Sequence, residues 1–197
     1  MDQKVANWQA YFQKTEQRPY RPLLETAVAA DDSGCKVAID CGCGTGNDTG
    51  YLLDQGYEVH AFDQQADAIQ ICQRRFGGNP QLQLSEASFE QFQYPSAGMI
   101  AANSSLFFCA EDLFEHCWNE IRSALVSQGI FCGDFLGTDD SWEPMPGRPL
   151  TRLHQTEVEA LFDGFEILRC YERNEPGKTA IGNIKHWHTF TVLARKL

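Results

Sequence analysis

This sequence predicts an α/β fold built on a mostly parallel sheet, and three observations predict it. The run from Val37 to Asp63 reads as a strand, a glycine-rich turn, a helix and a second strand. Short apolar runs then keep alternating with amphipathic segments as far as Leu136. Two more strands, Phe165 to Tyr171 and Trp187 to Ala194, close the chain, joined by the polar turn NEPGKTAIGN. Helical segments between strands are the signature of parallel pairing, because a parallel connection cannot be a tight turn.

The first unit brings main chain close to a ligand. Val37, Ala38 and Ile39 form the apolar run of a buried parallel strand. Gly42, Gly44 and Gly46 follow, each separated by one residue. Glycine has no Cβ, so such a turn can take positive φ and leave backbone accessible. A helix from about Asn47 to Gln55 starts there, and the free N–H groups and dipole of its first turn attract an anion. Gly56 stands where a helix C-terminal glycine is expected. Tyr57, Val59 and Ala61 alternate with Glu58, His60 and Phe62, which is strand periodicity. Asp63 closes that strand, where a carboxylate can accept hydrogen bonds from both hydroxyls of a ribose.

The nicotinamide fingerprint G-x-G-x-x-G would need glycine at position 47, which is Asn47. The glycines fit G-x-G-x-G instead, preceded by acidic Asp40. A glycine-rich turn with no ligand would sacrifice stability without use. Asp40, the triplet and Asp63, in this order on a strand–helix–strand unit, resemble the class I S-adenosylmethionine-dependent methyltransferases. The resemblance implies S-adenosylmethionine as cofactor and S-adenosylhomocysteine as product. It implies cofactor contacts at Asp40, Gly42, Cys43, Gly44, Gly46, Asp63 and Gln64.

Composition narrows the setting. A chain of 197 residues suffices for one domain with a sizeable core. The polar start MDQKVANWQAYFQKTEQ predicts no signal peptide, and no apolar stretch approaches membrane-spanning length. The eight cysteines are scattered and form no C-x-x-C pair, so neither a metal site nor a disulfide framework is expected. Cys41 and Cys43 read as small buried or cofactor-lining residues. Reduced thiols suit the cytoplasm. A net charge of −11 argues against a nucleic-acid substrate. So does Asn103-Ser104-Ser105-Leu106, where methyltransferases of nucleobase amino groups carry an Asn/Asp-Pro-Pro-aromatic motif. No cysteine follows a proline, as the pyrimidine-carbon enzymes require.

The remaining elements follow in order. Gln65 to Phe76 is helical, with Ile69, Cys72 and Phe76 on one face, and Gly77, Gly78 and Pro80 end it. Leu82 and Leu84 mark a third strand. The segment SEASFEQF resembles the family's stretch beside the adenine, with Ser88 and Phe89 as contacts. A loop whose Phe89 packs in the core is the competing reading. GMIAANSSLFFC supplies a fourth strand, and Asn103 leaves its carboxyl end, where ligands bind in open α/β sheets. A helix from about Glu111 to Val126 carries a buried stripe of Leu113, Cys117, Ile121, Ala124 and Leu125. Ser127 to Gly129 turns the chain into a fifth strand, Ile130 to Leu136.

The loop Gly137 to Pro149 lies at the end of the sheet where acceptor pockets form. Trp142 and Met145 are candidate walls, and Arg148 is a candidate partner for an anionic acceptor, against the plainer reading of a solvated loop. Thr156 and Glu159 make a capping box for a helix ending near Phe162.

The whole pattern resembles the Rossmann-like seven-stranded methyltransferase fold: a mostly parallel sheet, helices on both faces, and an antiparallel strand added by the C-terminal hairpin. SLFFCAEDLFEHCWNEI, GDFLGTDDSW and KHWHTFTVLARK are most similar to small bacterial methyltransferases related to tellurite-resistance and thiopurine methyltransferases. Residues 31–197 form the methyltransferase domain on this reading, and 1–30 an N-terminal helical lid. Trp8, Tyr11 and Phe12 share a helix face, and Pro22 stands at a second helix start. Tyr11, Arg18 and Tyr20 are the candidate substrate contacts of the lid. The alternative is that these aromatics simply pack the helix onto the core.

The expected activity is methyl transfer to a small soluble acceptor: a thiol, a chalcogen oxyanion or a heterocycle. Positioning and exclusion of water suffice for it, and a base helps only where the acceptor must lose a proton. His154, His186 and His188 are candidate bases but read equally as packed or surface residues, so no catalytic residue is assigned. Two other functions stay open: a non-enzymatic sensor of the cofactor or its product, and a methyltransferase of basic peptides.

Overall fold

The computed structural model of the protein describes residues 3–144 and 150–197, with side chains from Trp8 onward. Two helices, α1 (Gln3–Thr15) and α2 (Leu23–Ala30), precede the sheet. Then come β1 (Val37–Cys41), α3 (Asn47–Asp54), β2 (Glu58–Asp63), α4 (Ala66–Phe76), β3 (Leu82–Glu86) and β4 (Ala97–Ala102). α5 (Glu111–Ala124), β5 (Leu125–Gly137), β6 (Arg152–Leu153), α6 (Gln155–Leu161), β7 (Phe165–Lys178) and β8 (Ile184–Lys196) complete the chain. The sheet order is β3-β2-β1-β4-β5-β8-β7, with the two-residue β6 beside β5. β1 to β5 run parallel, and β8 is antiparallel to both β5 and β7.

Strand alternation sends successive side chains to two cores. Ile39, Phe62, Ile100, Phe131, Phe135 and Val192 face α5 and α6, meeting Phe114, Trp118, Ile121 and Phe162. Ala38, Val59, Ala61, Met99, Ala101 and Leu193 face the other way, toward Leu24 and Ala27 of α2, Leu52 of α3 and Cys72 of α4. α2 is thus part of the sheet's packing, whereas α1 docks through Phe12, which packs with Ala68 and Ile71, and through Trp8, whose ring meets Phe108.

The structure corrects four local expectations. The chain leaves α5 at Ala124, so Leu125 and Val126 already belong to β5; the turn foreseen at Ser127–Gly129 is an irregularity inside the strand, with Gln128 at φ 64°. Phe114 and Trp118 are buried on α5 where Leu113 was expected, because the helix inserts its largest rings between sheet and α6. α6 begins before Thr156: the Glu157 carboxylate accepts the His154 N–H at 2.6 Å, while Glu159 meets Gln155, so the Thr156–Glu159 box does not form. The C-terminal turn is shorter than NEPGKTAIGN. Asn174 to Lys178 extend β7, and Pro176 is tolerated because β7 is an edge strand with no neighbour to receive its missing N–H.

Candidate functional site

A cavity of about 1200 Å³ opens at the carboxyl ends of the parallel strands, next to the point where the order reverses between β1 and β4. Open α/β sheets bind ligands at such a switch point, because the loops leaving neighbouring strands diverge there.

The glycines of the turn do different jobs. All three adopt left-handed φ: 70° at Gly42, 54° at Gly44 and 79° at Gly46. A Cβ on Gly42 would stand 2.5 Å from the Ser105 Cβ, so this residue is glycine to let the β1 and β4 loops touch. Ser105 seals that contact by donating to the Cys41 carbonyl at 2.5 Å. A Cβ on Gly46 would meet Cys72 Sγ at 2.8 Å, and Gly46 does not line the cavity. Only Gly44 has open space beside it, with nothing within 4 Å of a Cβ, and that space is the cavity.

Three carboxylates surround the turn. The half-buried Asp63 accepts the Gly44 N–H at 3.0 Å through Oδ2 and the Gln65 N–H at 2.8 Å through Oδ1. Burial pushes its carboxyl up, and those two N–H groups pull it back. Asp40 is buried beneath the turn and accepts from the Thr49 hydroxyl at 2.6 Å. Burial, reinforced by the neighbouring Asp48 charge, pushes its carboxyl up to about 7. Asp48, in the first turn of α3, accepts the Arg21 N–H and the Asn103 amide, each at 2.8 Å, and burial raises its carboxyl.

A second cluster forms where β4 and β5 end. Asp134 accepts Arg21 Nη2 at 2.5 Å, the Ser104 N–H at 2.8 Å and the Thr191 hydroxyl at 2.5 Å. Ser104 holds φ 55° to do so, a strained value for a residue with a Cβ. Asp134 is what the Arg21 guanidinium faces most closely, and its charge holds the guanidinium firmly protonated.

Of the residues singled out in the sequence, Asp40, Gly42, Cys43, Gly44, Asp63, Gln64, Ser88, Phe89 and Asn103 line the cavity together. Phe89 satisfies both readings, being 8% exposed and edge-on to Phe62 at 5.3 Å while lining the wall. Tyr11, Arg18, Tyr20 and Trp142 line it too, although the Tyr20 ring stacks on Tyr51 at 3.9 Å. Met145 and Arg148 lie outside the described residues. His154, His186 and His188 do not line the cavity. His188 accepts the Asp139 N–H through Nδ1 at 2.9 Å, which leaves its Nε2 proton for Glu172 at 3.0 Å.

Sequence reasoning missed Arg21, Asp48, Asp134, Phe107, Phe108 and Lys185, all of which line the cavity. Asp48 carried a signal, an acid in the first turn of the helix after the glycines. Arg21 and Asp134 are 113 positions apart, and nothing local pairs them.

Comparison with known proteins fits this geometry. Residues 38–129 match the family model described as a methyltransferase domain. They contain the glycine-rich turn, Asp63 and Asn103. The match takes in just under half of the chain, and S-adenosylmethionine is the cofactor of methyltransferases of this fold, one of which is solved with the product S-adenosylhomocysteine. None of the curated proteins compared matches the sequence. Among solved structures, TehB from Haemophilus influenzae is 18% identical with a TM-score of 0.76, covering 95% of this chain and 66% of that one. The chain thus spans just under two thirds of that relative. The 1,6-didemethyltoxoflavin-N1-methyltransferase of Burkholderia thailandensis, solved with its acceptor and S-adenosylhomocysteine, is also 18% identical (TM-score 0.70, covering 98% of this chain and 85% of that one). The N-methyltransferase NodS from Bradyrhizobium japonicum, bound to S-adenosylhomocysteine, is 12% identical with a TM-score of 0.70 over 99% of both chains. At these identities the likeness is one of fold.

Proposed function

We propose that the protein transfers the methyl group of S-adenosylmethionine to a small-molecule acceptor held in the same cavity. One observation carries the reading: a single continuous cavity runs from Gly44 and Asp63 to a wall of aromatic side chains on α1 and the loops after β4 and β5. A cofactor and a small acceptor can lie in it side by side.

The residues present fit the cofactor. Gly44 leaves room for a ligand against the main chain. Asp63 keeps lone pairs beyond the two that its backbone partners use, and these suit ribose hydroxyls. Ser88 and Phe89 offer a polar and an aromatic surface on the adenine side, and Cys43 and Gln64 complete the rim. Asp40 and Asp48 give the methionine end a negative environment, which suits an ammonium and a sulfonium. When bound, S-adenosylmethionine supplies an electrophilic methyl: a lone pair of the acceptor bonds to its carbon while the carbon–sulfur pair departs on sulfur. The chain's own part is to orient the acceptor in line and to exclude water, through α1 and the segment after it as a lid, with Tyr11 and Arg18 lining the cavity. Asn103 and the Arg21–Asp134 pair form the rigid floor where the two ligands meet.

Eight free thiols and the absence, among the described residues, of a helix apolar and long enough to cross a membrane support a setting in the reducing cytoplasm.

The test is to incubate the protein with methyl-labelled S-adenosylmethionine and a whole-cell extract, then separate the label by size. Label in low-molecular-weight material is the expected result. Label in protein or nucleic acid would overturn the acceptor class, and cofactor binding without transfer to any fraction would favour a sensor.

A further inference from the structure

Charge and ring surface are segregated within the cavity, and this segregation names an acceptor class. Around the glycine-rich turn the lining residues include Asp40, Asp48, Asp63 and Asp134, answered by Arg21. The wall contributed by the end of α1, the loop after β5 and the β7–β8 hairpin carries cations instead. Arg18, Arg173, Lys178 and Lys185 all line it, in a chain whose net charge is −11. Lys185 is ion-paired with Asp140 and held between the Trp142 and Trp187 rings, 3.9 Å from each centroid. Arg173 meets Glu175 at 3.1 Å. Arg18 and Lys178 form no ion pair among the described residues. Arg18 reaches across to the Ala180 carbonyl at the hairpin tip, 3.3 Å away, which brings these two cations to one edge of the cavity.

Aromatic rings join into a continuous surface beside them. Trp8 meets Phe108 at 5.6 Å, Phe108 meets Trp142 at 5.9 Å, and Trp142 meets Trp187 at 5.2 Å. Each of these rings is only partly buried and lines the cavity. Asp140 sets the position of Trp142, because its carboxylate accepts the Trp142 N–H at 2.9 Å and the His188 N–H at 3.0 Å while pairing with Lys185.

Resting on the transferase reading above, we propose that the acceptor is a planar aromatic acid. Its ring lies against Phe108 and Trp142, and its anionic group is drawn to Arg18 and Lys178. A flat π-system covers such a wall and gains from offset or edge contacts with its rings. An inorganic oxyanion would leave the rings uncovered. A basic peptide would meet Arg18 and Lys178 with its own positive charge, which is repulsive. The pairing also suits the reaction, since a cationic donor beside an anionic acceptor is favoured in a cavity that excludes water.

The test is equilibrium titration of the full chain, first with S-adenosylhomocysteine and then, with that product bound, with four probes. These are 2-naphthoate, cyclohexanecarboxylate, 2-naphthylmethanol and sodium selenite. The expected result is 2-naphthoate binding about tenfold or more tighter than each of the other three, because each lacks the ring or the acid. Arg18→Gln and Trp142→Leu should each weaken 2-naphthoate by about fivefold or more while S-adenosylhomocysteine affinity holds. Phe108→Leu serves as a second wall variant should Trp142→Leu not fold. Selenite binding tighter than 2-naphthoate, equal binding of all four, or no effect of Arg18→Gln would overturn the proposal. Failure of S-adenosylhomocysteine itself to bind would instead overturn the transferase reading.

Discussion

Asp63→Ala removes a carboxylate that holds the turn and that the proposed function also gives to the cofactor. In the chain alone, the carboxylate accepts Gly44 N–H at 3.0 Å and Gln65 N–H at 2.8 Å. Hydrogen bonds to a charged group contribute ~1.5–3 kcal/mol each. Both N–H groups lie beside the cavity, where water can replace part of the loss. The expected fall in unfolding free energy is therefore about 2–3 kcal/mol. For a chain of this size that lowers Tm by roughly 4–12 °C. On the proposed function a second role arises with cofactor, when ribose hydroxyls would donate to the remaining lone pairs. Losing one such bond costs ~1.5–3 kcal/mol of binding, or about 10- to 150-fold in affinity. Thermal melts without ligand read the first effect, and calorimetric titration with S-adenosylhomocysteine reads the second. Asp63→Asn keeps one acceptor oxygen but points an NH2 group at a backbone N–H, so it should sit between the two on stability and still bind weakly. A folded Asp63→Ala protein that binds within about twofold of the parent would refute the placement of the ribose.

Three other outcomes follow from the same geometry. Gly42→Ala should destabilise the chain more than Gly44→Ala in urea melts, since its Cβ would stand 2.5 Å from Ser105 while that of Gly44 has open space; Gly44→Ala should lose only the ~1–2 kcal/mol of left-handed backbone, and a folded Gly44→Val should fail to bind cofactor. Unfolding free energy should fall as pH rises from about 4 to about 7 and then level, because the folded chain holds the Asp40 proton, with its carboxyl at about 7, over a range where the unfolded chain has released it; the raised Asp48 and Asp63 act in the same sense, Asp40→Asn should flatten the slope, and an unchanged slope in that variant would exclude Asp40 as its source. Lys185→Met should cost ~3–5 kcal/mol by leaving Asp140, whose side chain is 0% exposed, as an uncompensated buried charge; Asp140→Leu added to it should restore part of that loss, and a neutral single variant in urea melts would refute the buried pair.

Much of the fold was legible because its signals are local. Glycines at 42, 44 and 46, an acid on each side and two apolar runs specify a strand–turn–helix–strand unit wherever they occur. The elements went astray where tertiary contacts outweighed local preference. Thr156 and Glu159 are good capping residues, yet the helix starts two residues earlier, capped at His154, because Glu157 captures the His154 N–H. Asn174 to Lys178 have turn composition, but pairing with His188 down to Ile184 draws them into β7.

The sequence alone determined the fold class and the cofactor unit, because both rest on short-range periodicity and on backbone that only glycine adopts easily. It also singled out Tyr11, Arg18 and Trp142, though not what they share. The tertiary structure decided the rest of the cavity. It sent Arg21 to Asp134, set Lys185 between two tryptophans, and divided the lining into an acidic floor and a basic, aromatic wall. Such meetings depend on the order of strands and the register of the final hairpin. No window of sequence encodes either, because the partners lie far apart along the chain and come together only when the whole sheet has formed.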